Sequence, residues 1–291
     1  MEASLVSLGQ DDFKFRLTFV AGFGADGSHL SSTGVDDFGN NVDVPLYRHQ
    51  VAVDMFTLQP QLTIAATEDW YLEFRLPLRR IVRNAKVVPV EGAEVAEMQR
   101  NLDLHHPSAT LEGMGDLFMF MRPRDLANHW SWGATLPTGK TEEDPYVLGD
   151  SNLAHEHIQL GTGALIPRIE YRRNSEEWIS FATLALPFYA NRHGFTAPPE
   201  LGLFAARRGH WTEQWSWSLG TSARLQGYGD WNGTRDINTG YGALVADAGL
   251  VWSGSAGNLY VGLTLPIAQR VWQEDGDTFE LGTTFAISFS P

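Results

Sequence analysis

The sequence predicts an all-β protein: one domain over residues 1–291, folded as a twelve-stranded antiparallel up-and-down transmembrane β-barrel with short periplasmic turns and long extracellular loops. Three observations carry that prediction. The chain alternates with the period of a strand, its connections are alternately short and long, and its tryptophans gather beside the short ones.

The alternation is plainest in TFELGTTFAISFS, residues 278–290. Phe279, Leu281, Thr283, Phe285, Ile287 and Phe289 take one face; Glu280, Gly282, Thr284, Ala286 and Ser288 take the other. A period of two defines a strand with one apolar and one polar side. Similar segments recur at 13–24, 46–67, 70–83, 113–123, 129–138, 157–173, 177–190, 199–210, 214–228, 240–253, 258–272 and 278–290. Five connections are tight: ED at 68–69, RDLANH after Pro123, NSE from Asn174, WTE from Trp211 and GSAG from Gly254. They alternate with connections such as 25–45, 84–112 and 139–156. An outer-membrane barrel has this layout, and a Greek-key sandwich does not. An even strand count returns both termini to the periplasmic side.

Trp70, Trp130, Trp132, Trp178, Trp215 and Trp217 all fall just after a short turn, at one height. Tyr47, Tyr189, Tyr228, Trp231, Tyr241 and Trp272 flank the long loops. Two aromatic belts at two heights are what membrane interfaces select.

The polar face then belongs to a lumen. An Arg facing mid-bilayer costs about 2–4 kcal/mol, so charges in strands turn inward. Arg16, Asp54, Glu73, Arg75, Arg79, Asp116, Arg168, Glu170, Arg172, Arg224, Asp247 and Glu280 are the expected lining, with both signs present. Twelve strands enclose a narrow channel, between side-chain-filled small barrels and open porins. Residues 90–106 have helix-forming composition; a solvated outer loop is the reading favoured here, a luminal plug the alternative.

Composition bounds the rest. No run of 18 apolar residues forms a membrane helix, and a mean hydropathy of -0.21 is what averaging two opposite faces gives. There are no cysteines, hence neither disulfides nor thiolate metal sites. With 21 basic against 35 acidic residues, nucleic acid is not the partner. MEASLVSLGQDD carries no basic-then-apolar leader, so it reads as a cytosolic start or as a mature form without its signal peptide.

EGMGDLFMFMR (112–122), WSWGATLPTGK (130–140) and IQLGTGALIPRIEYR (158–172) resemble the outer-membrane channel family associated with the meta-pathway of phenol degradation. The matching positions are Gly113, Gly115 and Asp116, then 136–139, then 160–163, about sixty residues in the family's order. The resemblance implies a MetA-type twelve-stranded channel for small, often hydrophobic or aromatic molecules, and supplies no catalytic residues.

Other chemistries fare worse. A phospholipase needs a Ser activated by an oriented His, whereas Ser28–His29 and His106–Ser108 fall in expected outer loops. His155 and His157 share a face without a third ligand, and 36–43 lacks the spacing of a calcium loop. No catalytic or metal residues and no cofactors are therefore assigned. The expectation is a monomeric outer-membrane channel for passive diffusion, its partners lipid, lipopolysaccharide and small solutes. An anion porin lined by Arg16, Arg75, Arg79, Arg168, Arg172 and Arg224, or a non-conducting adhesion barrel, are the alternatives. Loop acids (Asp36, Asp37, Asp43, Glu91, Glu94, Glu97, Glu142, Glu143, Asp144, Glu274, Asp275, Asp277) suit divalent cations shared with lipopolysaccharide.

Pro77, Pro137, Pro187 and Pro266 each follow a Leu on outward-running strands, at similar height. Proline cannot donate to the ladder and a closed sheet has no free edge, so each site calls for a break or bulge. Such breaks either end pairing at the rim or open a lateral gap in the wall.

Overall fold

The computed structural model describes residues 13–124, 128–141, 159–236, 239–272 and 278–291. Its elements in order are β1 (Phe13–Val35), β2 (Asn41–Ala65), β3 (Trp70–Arg75), β4 (Leu78–Pro89), α1 (Ala96–His105), β5 (Ala109–Met114), β6 (Leu117–Pro123), β7 (Asn128–Leu136), β8 (Ile166–Asn174) and β9 (Trp178–Ala185). Then follow β10 (Phe195–Thr196), β11 (Glu200–His210), β12 (Trp215–Gln226), β13 (Gly229–Trp231), β14 (Thr234–Asp236), β15 (Tyr241–Gly254), β16 (Gly257–Val271), β17 (Thr278–Glu280) and β18 (Thr283–Ser290). Sequential neighbours pair antiparallel around the molecule, and β1 closes the ring by pairing with both β2 and β18. The result is a closed twelve-stranded antiparallel barrel in which β3–β4, β5–β6 and β17–β18 are each one stave broken in two. Closure lets most strands satisfy their backbone groups on both sides, which hydrocarbon demands.

Outward positions are apolar and uncovered. Phe13, Phe15, Leu17 and Phe19 on β1 and Phe285, Ile287 and Phe289 on β18 are all exposed. The intervening Thr18 and Ser288 are buried and hydrogen-bonded to each other at 2.9 Å across the lumen side. A continuous apolar band of this size fits lipid, not water. Trp130, Trp132, Trp178 and Trp215 are exposed at the short-turn end, with the Trp70 and Trp132 rings 5.9 Å apart. The RDLANH turn lies partly outside the described residues.

Four expectations are corrected. First, 25–45 is not a loop: β1 and β2 pair beyond the barrel to Val35 and Asn41 as a projecting hairpin. Its turn is held by the Asp36 carboxylate, which accepts the Phe38 and Asn40 amides at 2.8 Å each. Those bonds, with the Asn40 side chain foremost, hold Asp36 below the usual carboxylate range.

Second, the segment 90–106 is not a solvated loop throughout: it carries the packed helix α1 over Ala96–His105. Met98 and Leu102 are buried with Tyr47 and Val87. By alternation along β2, Tyr47 and His49 share the inward face of Thr57, Gln61 and Thr63, so α1 lies over the barrel mouth.

Third, the outer aromatic belt is incomplete. Tyr47, Trp231 and Tyr241 are buried. Trp231 packs against Phe195, ring centroids 4.7 Å apart, in a small sheet of β10, β13 and β14. That sheet joins Ile166 and Ala185 in a second apolar cluster opposite α1.

Fourth, the last stave does not keep one parity. A bulge in β1 between Gly22 and Ala25 flips its alternation, and β17 follows it across the interruption at Leu281–Gly282. Gly282 fits because the Phe23 carbonyl would stand 2.1 Å from an added Cβ. Phe279 therefore turns toward Tyr241, ring centroids 5.7 Å apart, while Phe285, Ile287 and Phe289 face lipid. Glu280 lies opposite Asp26 on the outward side. Asp54 also shares the outward face, with Phe56 and Leu58, and accepts the Gly24 amide of the bulge at 3.2 Å.

A closed barrel resists detergent until heated. Purified protein should need detergent, show β-rich circular dichroism and migrate faster on a denaturing gel before boiling than after. A monodisperse protein without detergent would refute the barrel.

Candidate functional site

The lumen has two distinct storeys. In the half nearer the short turns, alternation aims Gln61, Glu73, Arg75, Arg122, Ser131, Glu170 and Arg172 at one another from five neighbouring staves. Glu73 accepts Arg75 Nε at 2.7 Å and Gln61 Nε2 at 2.9 Å, and forms an ion pair with Arg122, whose Nε lies 3.0 Å away. Arg122 also bridges to Glu170, which Arg172 Nη2 meets at 3.2 Å. The Phe120 ring lies beneath both Arg75 and Arg122, at 5.5 and 4.8 Å. Side chains of Glu73, Arg122 and Glu170 are only 4–6% exposed. So tight a layer fills its side of the lumen. Deleting one member would strand buried charge, whereas the intact network is compensated.

Above it a cavity of about 740 Å³ is lined by Arg79, Asp116, Phe118, Thr135, Arg168 and Arg224, among others. Arg168 donates to Thr135 at 2.6 Å, and Arg224 pairs with Glu200 at 2.6 Å. Phe195, from the small outer sheet, also reaches the cavity. On the opposite wall Asp247 accepts Ser222 at 2.7 Å and Thr264 at 3.0 Å. Arg16 is buried on β1.

The cavity wall changes character where Asp116 sits. Here the three glycine-rich segments meet. Asp116 Oδ1 accepts the Gly139 amide at 3.0 Å; Oδ2 accepts the Thr162 amide at 2.6 Å and its hydroxyl at 2.5 Å. Thr138 Oγ1 accepts the Leu117 amide at 2.9 Å. Arg79 Nη1 donates to the Leu160 carbonyl at 2.8 Å. A Cβ on Gly139 would stand 2.7 Å from Gly161 Cα and 2.8 Å from the Gly115 carbonyl carbon. Only glycine allows three backbones to approach so closely. One carboxylate, with backbone bonds from Lys140 to Met114 at 3.4 Å and from Gly161 to Lys140 at 3.1 Å, thus stands in for the ladder between strands that have stopped pairing.

Pairing does stop there. β3 and β4 are separated at Leu76–Pro77, β7 ends at Leu136 before Pro137, and β9 ends at Ala185 before Leu186–Pro187. The Pro77 carbonyl accepts the Gly115 amide at 2.7 Å. Pro266 stays in the ladder opposite Val245, but the next pair is Leu244 with Ala268, leaving Ile267 as a bulge. Among the described residues β5 pairs with β4 alone, so its other edge carries no ladder. Against that edge lies a crevice of about 460 Å³ lined by Arg80, Thr110, Leu111, Glu112, Lys140 and Leu160. Leu160 lines the crevice while its neighbour Gly161 lines the cavity.

Sequence reasoning missed Arg122 and Gln61 in the lower layer and Glu200 beside Arg224. FMFMR is apolar on both faces, so nothing local identifies which side Arg122 takes. His155, His157, Glu142, Glu143, Asp144, Glu274, Asp275 and Asp277 lie outside the described residues.

This barrel has the fold of outer-membrane channels. It is similar over 100% of both chains to an outer membrane channel from Pseudomonas putida, at TM-score 0.59 and 12% identity. A FadL homologue from Pseudomonas aeruginosa is more distant, with TM-score 0.42 and 9% identity over 95% of this chain and 90% of that one. The sequence matches no protein-family model and no curated protein.

Replacing Asp116 by Ala leaves the half-buried amides of Gly139 and Thr162 unmatched, at about 1 kcal/mol each. The temperature of the gel-mobility transition should drop clearly in Asp116→Ala and less in Asp116→Asn. An unchanged transition in Asp116→Ala would show that the carboxylate holds nothing.

Proposed function

We propose that this protein is an outer-membrane channel through which small hydrophobic or aromatic molecules diffuse passively. They enter the upper cavity from outside and leave through the unladdered seam between β5 and the 137–141 and 159–165 segments. The observation that carries this reading is the pairing of a tightly packed charged layer on one side of the lower lumen with a cavity that ends one residue from a crevice in the wall. The resemblance to phenol-pathway channels points the same way. The protein works as a monomer in lipid and lipopolysaccharide, passive diffusion calls for no cofactor chemistry, and its substrate path is lined by Phe118, Arg79, Arg168 and Arg224.

An anion porin would need uncompensated arginines. Here Arg75, Arg172 and Arg224 each meet a carboxylate, and Arg79 and Arg168, which donate to neutral oxygens, share the cavity with Asp116 and Glu200. Reversal potentials across a salt gradient should accordingly stay near zero, and strong anion selectivity would favour the porin reading.

Leu160 stands between cavity and crevice, so its size should set apolar flux. Leu160→Trp should slow uptake of a naphthalene-sized solute into proteoliposomes several-fold, and Leu160→Ala should quicken it. Both variants are to be checked for normal gel mobility. Equal uptake by both folded variants would rule out the seam.

A further inference from the structure

Three histidines far apart in sequence meet at the barrel mouth. His29 on β1 lies directly opposite His49 on β2, and His106 caps the C-terminal end of α1. His29 Nε2 is 2.9 Å from His106 Nε2 and 3.1 Å from His49 Nδ1, and one nitrogen from each ring falls within 4.8 Å of the others. His49 and His106 are buried, His29 half-buried.

Hydrogen bonding around the cluster fixes which nitrogens carry protons. Tyr47 Oη donates to the Thr33 carbonyl at 2.7 Å and accepts Asn101 Nδ2 at 2.6 Å. Its one proton is thereby used, so at the 2.9 Å contact His49 Nε2 is the donor and His49 Nδ1 carries a lone pair. His29 Nδ1 faces the Leu30 carbonyl at 3.3 Å, which only accepts, so His29 Nε2 carries a lone pair too. Two lone pairs 3.1 Å apart repel unless a proton or a metal ion lies between them. The spacing resembles the separation of about 3.4 Å between nitrogens on one tetrahedral zinc, whose Zn–N bonds are about 2.0–2.1 Å. Outer partners that hold the far ring nitrogen, as Tyr47 and the Leu30 carbonyl do here, are the usual companions of metal-bound histidine.

We propose that His29 Nε2, His49 Nδ1 and His106 Nε2 form a transition-metal site at the channel mouth, for a Zn²⁺-type ion. Imidazole suits Zn²⁺, Cu²⁺ and Ni²⁺, not Ca²⁺ or Mg²⁺, which take oxygen. A bound ion ties β1 and β2 to the end of α1 and so fixes the helix over the lumen. The site stands apart from the seam and holds whether or not solute leaves there.

The test uses the full chain in detergent at neutral pH, titrated with Co²⁺ and then with competing Zn²⁺. Wild type should bind one Co²⁺ with the intense visible absorption of a tetrahedral site, and Zn²⁺ should bleach it. His29→Gln and His106→Gln should each weaken binding at least about tenfold, while His193→Gln leaves it unchanged. Zn²⁺ should also raise the temperature of the gel-mobility transition in wild type but not in His29→Gln. Should His106→Gln misfold, His29→Gln alone decides, since it changes only a half-buried side chain. Absence of the tetrahedral band, or Co²⁺ affinity unmoved by His29→Gln, would overturn the site and leave an imidazole hydrogen-bond chain.

Discussion

Hydrocarbon supplies no hydrogen bonds, so every amide and carbonyl in the wall must find a partner within the protein. Most of this barrel meets that demand with uninterrupted antiparallel ladders, such as the twelve consecutive pairs of β12 with β15. At the level of Pro77, Pro137 and Pro187 it cannot, because proline lacks the amide and the strands stop. There the carboxylate of Asp116 takes over, gathering the Gly139 and Thr162 amides, while Arg79 and Asn191 occupy the carbonyls of Leu160 and Thr162. Glycines at 115, 139 and 161 make the approach possible. The seam exists because side chains replaced the ladder, and its position beside the cavity follows from the shared height of the breaks.

The two storeys of the lumen divide the work. Below, both signs of charge pair completely enough that the layer packs as a filling, with Phe120 sandwiched beside the guanidinium groups of Arg75 and Arg122. Above, staves separate and leave space, roofed on one side by α1 and on the other by the small sheet around Trp231. The upper cavity mixes Phe118 and Phe195 with Arg79, Asp116, Arg168 and Arg224, and the densely paired charged layer lies below it; on the reading proposed above, the side wall is then the easier way out for an apolar solute.

Much of this was legible in the sequence because it is local. Strand period, short-turn spacing and the tryptophans after those turns depend on neighbours a few residues apart, and they led to the right stave count and order. What depended on distant partners was not legible. Phe279 and Glu280 belong to a perfectly alternating stretch, yet a bulge at Gly22–Ala25 on another strand turns them over. α1 is too polar to read as a packed helix until Tyr47 and Val87 appear beneath it. The glycines and Asp116 were visible as a motif, but a motif does not say that one carboxylate spans all three segments. His29, His49 and His106 carry no spacing signal whatever, since only the projecting hairpin and the helix end bring them together.

The central claim is that apolar solute leaves through the wall. Crystals soaked with a brominated aromatic solute locate it directly, through anomalous scattering from bromine. The account predicts bromine in the upper cavity and in the crevice between Leu111 and Leu160. Bromine along the barrel axis within the layer of Glu73, Arg122 and Glu170, with none in the crevice, would contradict it.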